Sequence, residues 1–396
     1  MIQRSTQSLP KFSEATQKAI GELRSLSIRA LRRMYLPDRS LFADRFRRDS
    51  AGDRLEGVSR RYSAIVLIAL AGEPEEISSE ILAGQNIQDV CSRLLRSVRQ
   101  SSDVGEVALT LWAARAMHHP HAWMALDRLK TLAPSERPYP TVEVSWALSA
   151  LVVEGEDMVV ESLADELAKR LLAAFQKDSG LFPHWPAGAA PSSLRAHVSC
   201  FADLVYPIHA LAFYYRATYN TDALHVAQCC AHRMCKLQGA QGQWWWHYDV
   251  RTGRVVERFP IYAVHQDAMG PMALFALQEV SGEDYTPAIE RSLQWLTDPP
   301  EIPGSLIDTQ AGVIWRKVAR HEPGKLARSL QAGASRLHPA LRVPGLDVAL
   351  RPGYIDHECR PYHLGWILYA WPADRVARVE GHLSESQPHA AAVANS

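Results

Sequence analysis

The sequence lacks most of the features that mark specialised chains. No apolar run approaches the about 20 residues that a membrane-spanning helix needs, and residues 1–18 hold no apolar stretch of the kind a secretory leader carries. We therefore expect no membrane span and a cytoplasmic protein. Six cysteines in 396 residues are too few for a disulfide framework, so reduced thiols are expected. Net charge is absent as well: 43 Lys plus Arg stand against 43 Asp plus Glu, which leaves no overall field to hold nucleic acid or an anionic membrane. The locally basic run 45–61 reads as a solvated face. No Gly-rich phosphate loop and no G-x-S-x-G elbow occur, so nucleotide chemistry has no support. Strand-like alternation is scarce outside a possible short ribbon near 246–256, which leaves helices to build the core.

Helical periodicity is abundant, and it comes in two kinds. Segments 12–35, 77–100, 121–132, 157–177, 221–237 and 285–297 are amphipathic with one charged face, as outer helices are. Segments 57–71, 104–117, 141–153, 198–217, 264–280 and 361–371 are nearly apolar throughout, which means burial on all sides. The two kinds alternate along the chain, as a closed ring of helical hairpins requires. A Gly- and Pro-rich excursion over 299–351 interrupts the alternation before the last inner helix; its length predicts a lid or an inserted ribbon. We read one domain over 1–383 and a flexible tail, rich in Ala, Ser, Pro and His, over 384–396.

The inner segments begin with polar groups. Arg60, Arg61 and Tyr62 lead the first, Glu106 the second, Glu143 the third, and Asp203, Tyr206 and His209 the fourth. His265 and Asp267 lead the fifth, and Asp356, His357, Glu358, Arg360, Tyr362 and His363 the sixth. Taken singly, a carboxylate there serves as a helix cap. In a ring whose inner helices run parallel, the same ends converge on one mouth. The stretch 238–277 carries a Gly-rich turn, the consecutive Trp244, Trp245 and Trp246, and then His265-Gln266-Asp267 at the start of an apolar helix, so it forms the lip of that mouth. Trp185, in a GLFPHWP loop beside His184, sits on the equivalent loop of an earlier hairpin.

The run Gln238-Gly-Ala-Gln-Gly-Gln-Trp244 resembles the QW motif of squalene-hopene cyclases and related terpenoid cyclases, with Ser179-Gly-Leu-Phe182 a weaker echo. In that family the Gln caps helices and the Trp stacks on it, tying hairpins together. The resemblance implies an all-α toroid of six hairpins, an (α/α)6 barrel. It does not carry the chemistry, because neither the Asp-x-Asp-Asp acid nor a DDxxD run is present. Asp356, Cys359 and His363 share ligand types with the zinc site of protein prenyltransferase β-subunits but lack its Asp-x-Cys spacing. The chain is also similar in architecture and residue class to the (α/α)6 carbohydrate enzymes, among them unsaturated glucuronyl hydrolases and N-acylglucosamine 2-epimerases.

Cavity polarity separates the two groups. A polyprenyl cation needs an aromatic pocket with one strong acid, whereas a sugar needs carboxylates, arginines and tryptophan faces. The predicted mouth holds the latter. For glycoside hydrolysis, Asp267 is the first candidate, partnered by Asp203, Glu143 or Glu358. For epimerisation or elimination, His265, His363 or Tyr362 is the candidate base. Trp185, Trp244, Trp245, Trp246, Arg60, Tyr62, Tyr206, Arg360 and Tyr362 are the expected substrate contacts.

No metal site is assigned. His357 and His363 are six apart, with Pro361 between them, so they are not an HExxH pair. His225, Cys229 and His232 share a helical face but lie on an outer helix. We thus expect a carbohydrate enzyme without a cofactor, binding a small-molecule or oligosaccharide substrate and no nucleic acid. The alternatives are an isoprenoid enzyme and a non-catalytic toroid that only binds; the sequence leaves oligomeric state open.

Overall fold

In a computed structural model, residues 12–153, 162–186 and 194–378 are described. The expected tail over 384–396 and the start of the outer segment 157–177 lie outside these residues. The helices in chain order are α1 (Glu14–Met34), α2 (Arg60–Leu70), α3 (Glu75–Ile81), α4 (Ile87–Val98), α5 (Val104–Ala116), α6 (Trp123–Leu132), α7 (Thr141–Val152), α8 (Ser162–Ala174), α9 (Ala202–Thr218), α10 (Thr221–Lys236), α11 (Gly270–Ser281), α12 (Thr286–Thr297), α13 (Leu326–Leu337), α14 (Leu346–Ala349) and α15 (Pro361–Ala370). A π-helical turn, His265–Met269, leads into α11.

Local signals set many of the boundaries. Ser59 caps α2 through Tyr62 N, Asp103 caps α5 through Glu106 N, and Asn220 caps α10 through Ala223 N. The outer segment expected over 77–100 is two helices, because Ala83 and Gly84 turn left-handed and Asn86 caps a new start. The fourth inner helix begins at Ala202 rather than 198, since 198–200 pair as a strand.

Packing follows the two kinds of segment. α2 packs on α5, α5 on α7, α7 on α9, α9 on α11, the π-helical turn on α15, and α15 back on α2. This closes a ring of the nearly apolar helices. Around it, α4 and α6 lie on α5, α8 on α7, α10 on α9 and α12 on the π-helical turn. α1 covers α15, so the first outer helix pairs with the last inner one and the ring is sealed by the two ends of the described chain. Buried residues from Phe12 to Trp371 form one continuous apolar cluster.

Short antiparallel strands fill the connections. β1 (Tyr35–Leu36) pairs with β2 (Leu41–Phe42), and β3 (Arg45–Asp49) lies between β4 (Gly52–Glu56) and β13 (Glu358–Cys359). β6 (His247–Asp249) lies between β5 (Val198–Cys200) and β7 (Arg254–Glu257), as the predicted ribbon anticipates. β9 (Ile307–Asp308) pairs with β10 (Val313–Ile314), and β11 (Lys317–Arg320) joins β8 (Ile261–Tyr262) to β12 (Pro352–Asp356). The basic run 45–61 is therefore mostly a hairpin whose arginines are paired: Arg45 with Glu56, Arg48 with Asp53 and Arg54 with Asp49.

The excursion 299–351 is not a detachable lid. Leu306, Val313, Ile314, Trp315 and Val318 are buried in the core, and in its later part α13 packs on β7, with Ala327, Ala332 and Ser335 buried.

The loop after α10 ties neighbouring hairpins together. Gln238 donates to Gly242 O (3.0 Å) and to Ala288 O on α12 (2.9 Å), and it accepts from Arg291. Trp244 stacks on Phe201. Gly242 has a φ of +95°, and a Cβ there would lie 2.0 Å from Arg291 O. Gly242→Ala is expected to cost about 1–3 kcal/mol, since backbone must move and the left-handed conformation is strained. A urea unfolding midpoint unchanged by this substitution would contradict the assignment.

Candidate active site

The N-terminal ends of α2, α7, α9, α15 and the π-helical turn surround a cavity of about 350 Å³. Its wall is aromatic. Tyr62 faces Tyr362 with ring centroids 4.7 Å apart, Trp146 meets Tyr206 at 5.2 Å, and Tyr262 meets His265 at 5.0 Å and Trp246 at 5.7 Å. Arg61 and Arg316 also line it, as do Ile65, Val142, Cys200, Ala202 and Met269. Both arginines are held by carboxylates: Arg61 by Asp103 and by Glu143 at 2.7 Å, and Arg316 by Glu358 at 3.1 Å.

A second cavity, of about 360 Å³, adjoins the first and shares Cys200 and Trp246 with it. Here the sequence places its titratable groups by local means. Thr141, at the start of α7, donates its N–H to His184 O (2.9 Å), which pins the GLFPHWP loop over the inner ring. Asp203, in the first turn of α9, is fully buried and accepts the Cys200 N–H at 2.8 Å. His184 Nδ1 approaches both Asp203 oxygens, at 3.0 and 3.2 Å. That hydrogen bond raises His184 above the usual imidazole value, against the opposing effect of burial. With Nδ1 engaged, Nε2 is the nitrogen left for a ligand, the arrangement that fixes a histidine's tautomer and orientation.

His247, on β6, stacks on Trp246 at 3.7 Å, and its Nε2 lies 3.1 Å from the Arg195 guanidinium. Nε2 must accept there, so the ring is neutral with its proton on Nδ1. Burial, with Arg195 and Arg328 beside it, holds His247 well below the usual imidazole value. Burial likewise lowers His265, in the first cavity, to about 3. The cleft thus contains one histidine biased toward the cation and two kept neutral. His184, Cys200 and Asp203 each offer a ligand atom within 4.8 Å of the others, donor types that suit a transition metal. The Cys200 thiol is pushed well up by burial and by Asp203, which favours its protonated form.

The expected site residues divide. Tyr62, Tyr206, Trp246, Tyr362 and His265 line the first cavity; Trp185, Trp246 and Asp203 line the second. Glu143 lines neither of these two cavities and is bound to Arg61, which lines the first. Arg60 pairs with Glu106 at 2.8 Å with half its side chain in solvent. Glu358 is taken up by Arg45, Arg316 and Arg360, and Arg360 also donates to the Tyr62 hydroxyl (2.7 Å). Neither Glu358 nor Arg360 is among the described residues lining these two cavities.

Asp267 and His363 are the clearest displacement. His363 Nε2 lies 2.8 Å from both Asp267 oxygens, and Asp267 is fully buried. The physical reason is the π-helical turn, which sends three consecutive residues to three partners. His265 meets the cavity, Gln266 bonds the backbone of Trp244, and Asp267 faces α15. Trp244 and Trp245 are likewise packed in the core, and only Trp246 of the three reaches the cleft. His209 lies deeper, bonded to the Tyr369 hydroxyl at 3.0 Å.

Arg195, Arg328, His247, Cys200, Trp146 and Tyr262 were not singled out in the sequence. Each comes from a connection or a mid-helix position that only the three-dimensional arrangement brings to the mouth.

No protein-family model matches this sequence, and no curated protein matches it. Solved structures do match. Over 92% of this chain and 98% of the other, it is similar to an unsaturated glucuronyl hydrolase specific for heparin, at 11% identity and a TM-score of 0.58. Over 90% of this chain and 98% of the other, it is similar to the cellobiose 2-epimerase of Bacillus thermoamylovorans B4167, at 11% identity and a TM-score of 0.59. A glycosidase matches over 93% of this chain and 100% of its own, at 13% identity and a TM-score of 0.56. The fold is the α/α toroid that these structures share. Within the toroid, the two adjoining cavities occupy the mouth formed by the inner helices' N-termini. At these identities the likeness speaks to the fold, and no helix of the described residues is long and apolar enough to cross a membrane.

Proposed function

We propose that the chain is an enzyme acting on a carbohydrate by acid/base chemistry in the mouth of the toroid, of the epimerase or lyase type. The observation that carries this reading is the His184–Asp203 dyad, set in an aromatic cleft whose described wall holds no other carboxylate. Hydrolysis by two flanking acids needs a second carboxylate at the bond. The carboxylates expected to supply it, Asp267, Glu143 and Glu358, are buried or committed to histidine or arginine partners.

Moving a proton beside a carbonyl needs a base and an acid instead. In this reading His184, whose Nδ1 is engaged by Asp203, exchanges a proton with the substrate through Nε2. The neutral His265 and the Tyr262 and Tyr362 hydroxyls, both raised by burial, are the candidates for its counterpart. Tyr62, Trp146, Trp185 and Trp246 offer faces for the apolar side of a sugar ring. Structures of this fold include a heparin-specific glucuronyl hydrolase and a cellobiose 2-epimerase, which supports a saccharide substrate. An isoprenoid cation in the aromatic cavity would instead meet Arg61 and Arg316.

The test is product analysis by proton NMR after incubation with a panel of neutral and acidic oligosaccharides. An epimer or a sugar with a new carbon–carbon double bond is expected. New reducing ends with neither product would move the chemistry to hydrolysis. A melting-point rise with prenyl diphosphates alone would overturn the sugar reading.

A further inference from the structure

The excursion 299–351 brings cations to the mouth. Arg316 and Arg328 line the two cavities, and Lys317 and Lys325 belong to the same segment. Arg316 and Lys317 are neutralised by Asp356 and Glu358. Arg328, on α13, is not: among the described residues no carboxylate lies within ion-pair distance of it, and its Nε is buried without a hydrogen-bond partner. Its guanidinium carbon stands 5.4 Å from the Trp246 ring centroid, in the wall that also holds His184 and His247.

Positive groups crowd around it. Arg195 donates to His247 in the same wall, and Arg328 is the largest cause of the lowering of Lys325, with Lys317, Arg316 and Arg195 contributing. Like charges gathered at a half-enclosed cleft repel one another in the free protein. A bound anion relieves that repulsion, and arginine suits carboxylate and sulfate oxygens because its donors form a rigid fork. The one carboxylate that the described residues give this wall, Asp203, is already occupied by His184 and the Cys200 N–H.

We propose that the substrate of this cleft is an anionic saccharide, with a carboxylate or sulfate group held by Arg328 beside the face of Trp246. The inference rests on the carbohydrate reading and specifies its substrate class. It gives α13 a role: packed on β7, the helix holds Arg328 in the cleft wall where the anion would sit.

The experiment is a calorimetric titration of the full chain with matched disaccharides, one neutral, one bearing a uronate and one bearing a sulfate. At least one acidic sugar is expected to bind about tenfold or more tightly than the neutral one, with affinity falling as sodium chloride is raised. Arg328→Gln should weaken the acidic sugar roughly 10- to 100-fold and leave the neutral sugar unchanged. Arg328→Lys, which keeps the charge, should retain part of the preference, and this would show that the Gln effect is not a loss of folding. A uronate preference over sulfate, or the reverse, identifies the group. Equal binding of neutral and acidic sugars, or an acidic affinity untouched by Arg328→Gln, overturns the proposal while the carbohydrate reading stands. Binding of no saccharide at all overturns both.

Discussion

His184→Gln is expected to lower turnover about 100- to 10,000-fold, the range supplied by a positioned general acid or base, while the protein stays folded. His184 sits on a surface loop whose packing runs through Pro183 and Thr141 rather than through the ring. The imidazole itself contacts Asp203 and Trp185. Circular dichroism and melting curves close to the parent, beside a collapse in kcat, would check both halves. A turnover within a few-fold of the parent would remove His184 from the chemistry.

The pH profile carries the same information with a sign. Asp203 raises His184 above the ordinary 6.5, so the limb that reports this imidazole should lie above pH 6.5. Asp203→Asn should move that limb down toward 6.5, a change that a purely structural Asp203 would not produce. The linked stability has a fixed direction. A group whose folded value is raised stabilises most fully below its unfolded value, and the contribution fades as pH rises through the folded value. The dyad's contribution should therefore be complete below about pH 6.5 and decline above it.

The second large effect concerns the carboxylate that the sequence presents most prominently. Asp267→Ala is expected to destabilise the protein by about 3–5 kcal/mol, the cost of stripping one partner from a buried pair. His363 would be left buried on α15 with no carboxylate opposite it, at the seam where the π-helical turn meets α15 and the ring closes. Burial pushes Asp267 up, and His363 opposes that shift. Denaturant unfolding checks the prediction. The activity per folded molecule should fall far less than in His184→Gln. A variant with parental stability and no turnover would return Asp267 to the chemistry.

The ring itself was legible because a helix apolar on every side has only one place to go. The six nearly apolar segments all became the inner ring, and uniform apolarity is a signal that survives any error in helix boundaries. The convergence of their N-termini followed from the alternation alone. Individual side chains were harder to place, and His265-Gln266-Asp267 shows why. The π-helical turn rotates successive residues away from ordinary helical spacing, so adjacency in sequence gave no common direction. The carboxylates at the mouth were visible, but their arginine partners came from distant hairpins: Arg45 reaches Glu358 across 313 residues and Arg61 reaches Glu143 across 82. A mouth expected to hold carboxylates and arginines together is one where Glu143 and Glu358 are paired with arginine and Asp267 with His363. Arg328 was not assigned because α13 lies in a segment read as a lid or an inserted ribbon, outside the alternation of inner and outer helices that pointed to the mouth.

The most direct test of the account is hydrogen exchange from solvent into a saccharide that the protein binds, followed by NMR in D2O with wild type and His184→Gln side by side. With the wild type, deuterium is expected to enter at the carbon next to the carbonyl, and with the variant the exchange rate should be at least about 100-fold lower. Bond cleavage by the wild type with no exchange at that carbon, or equal exchange by the two proteins, would contradict proton transfer by the His184–Asp203 dyad.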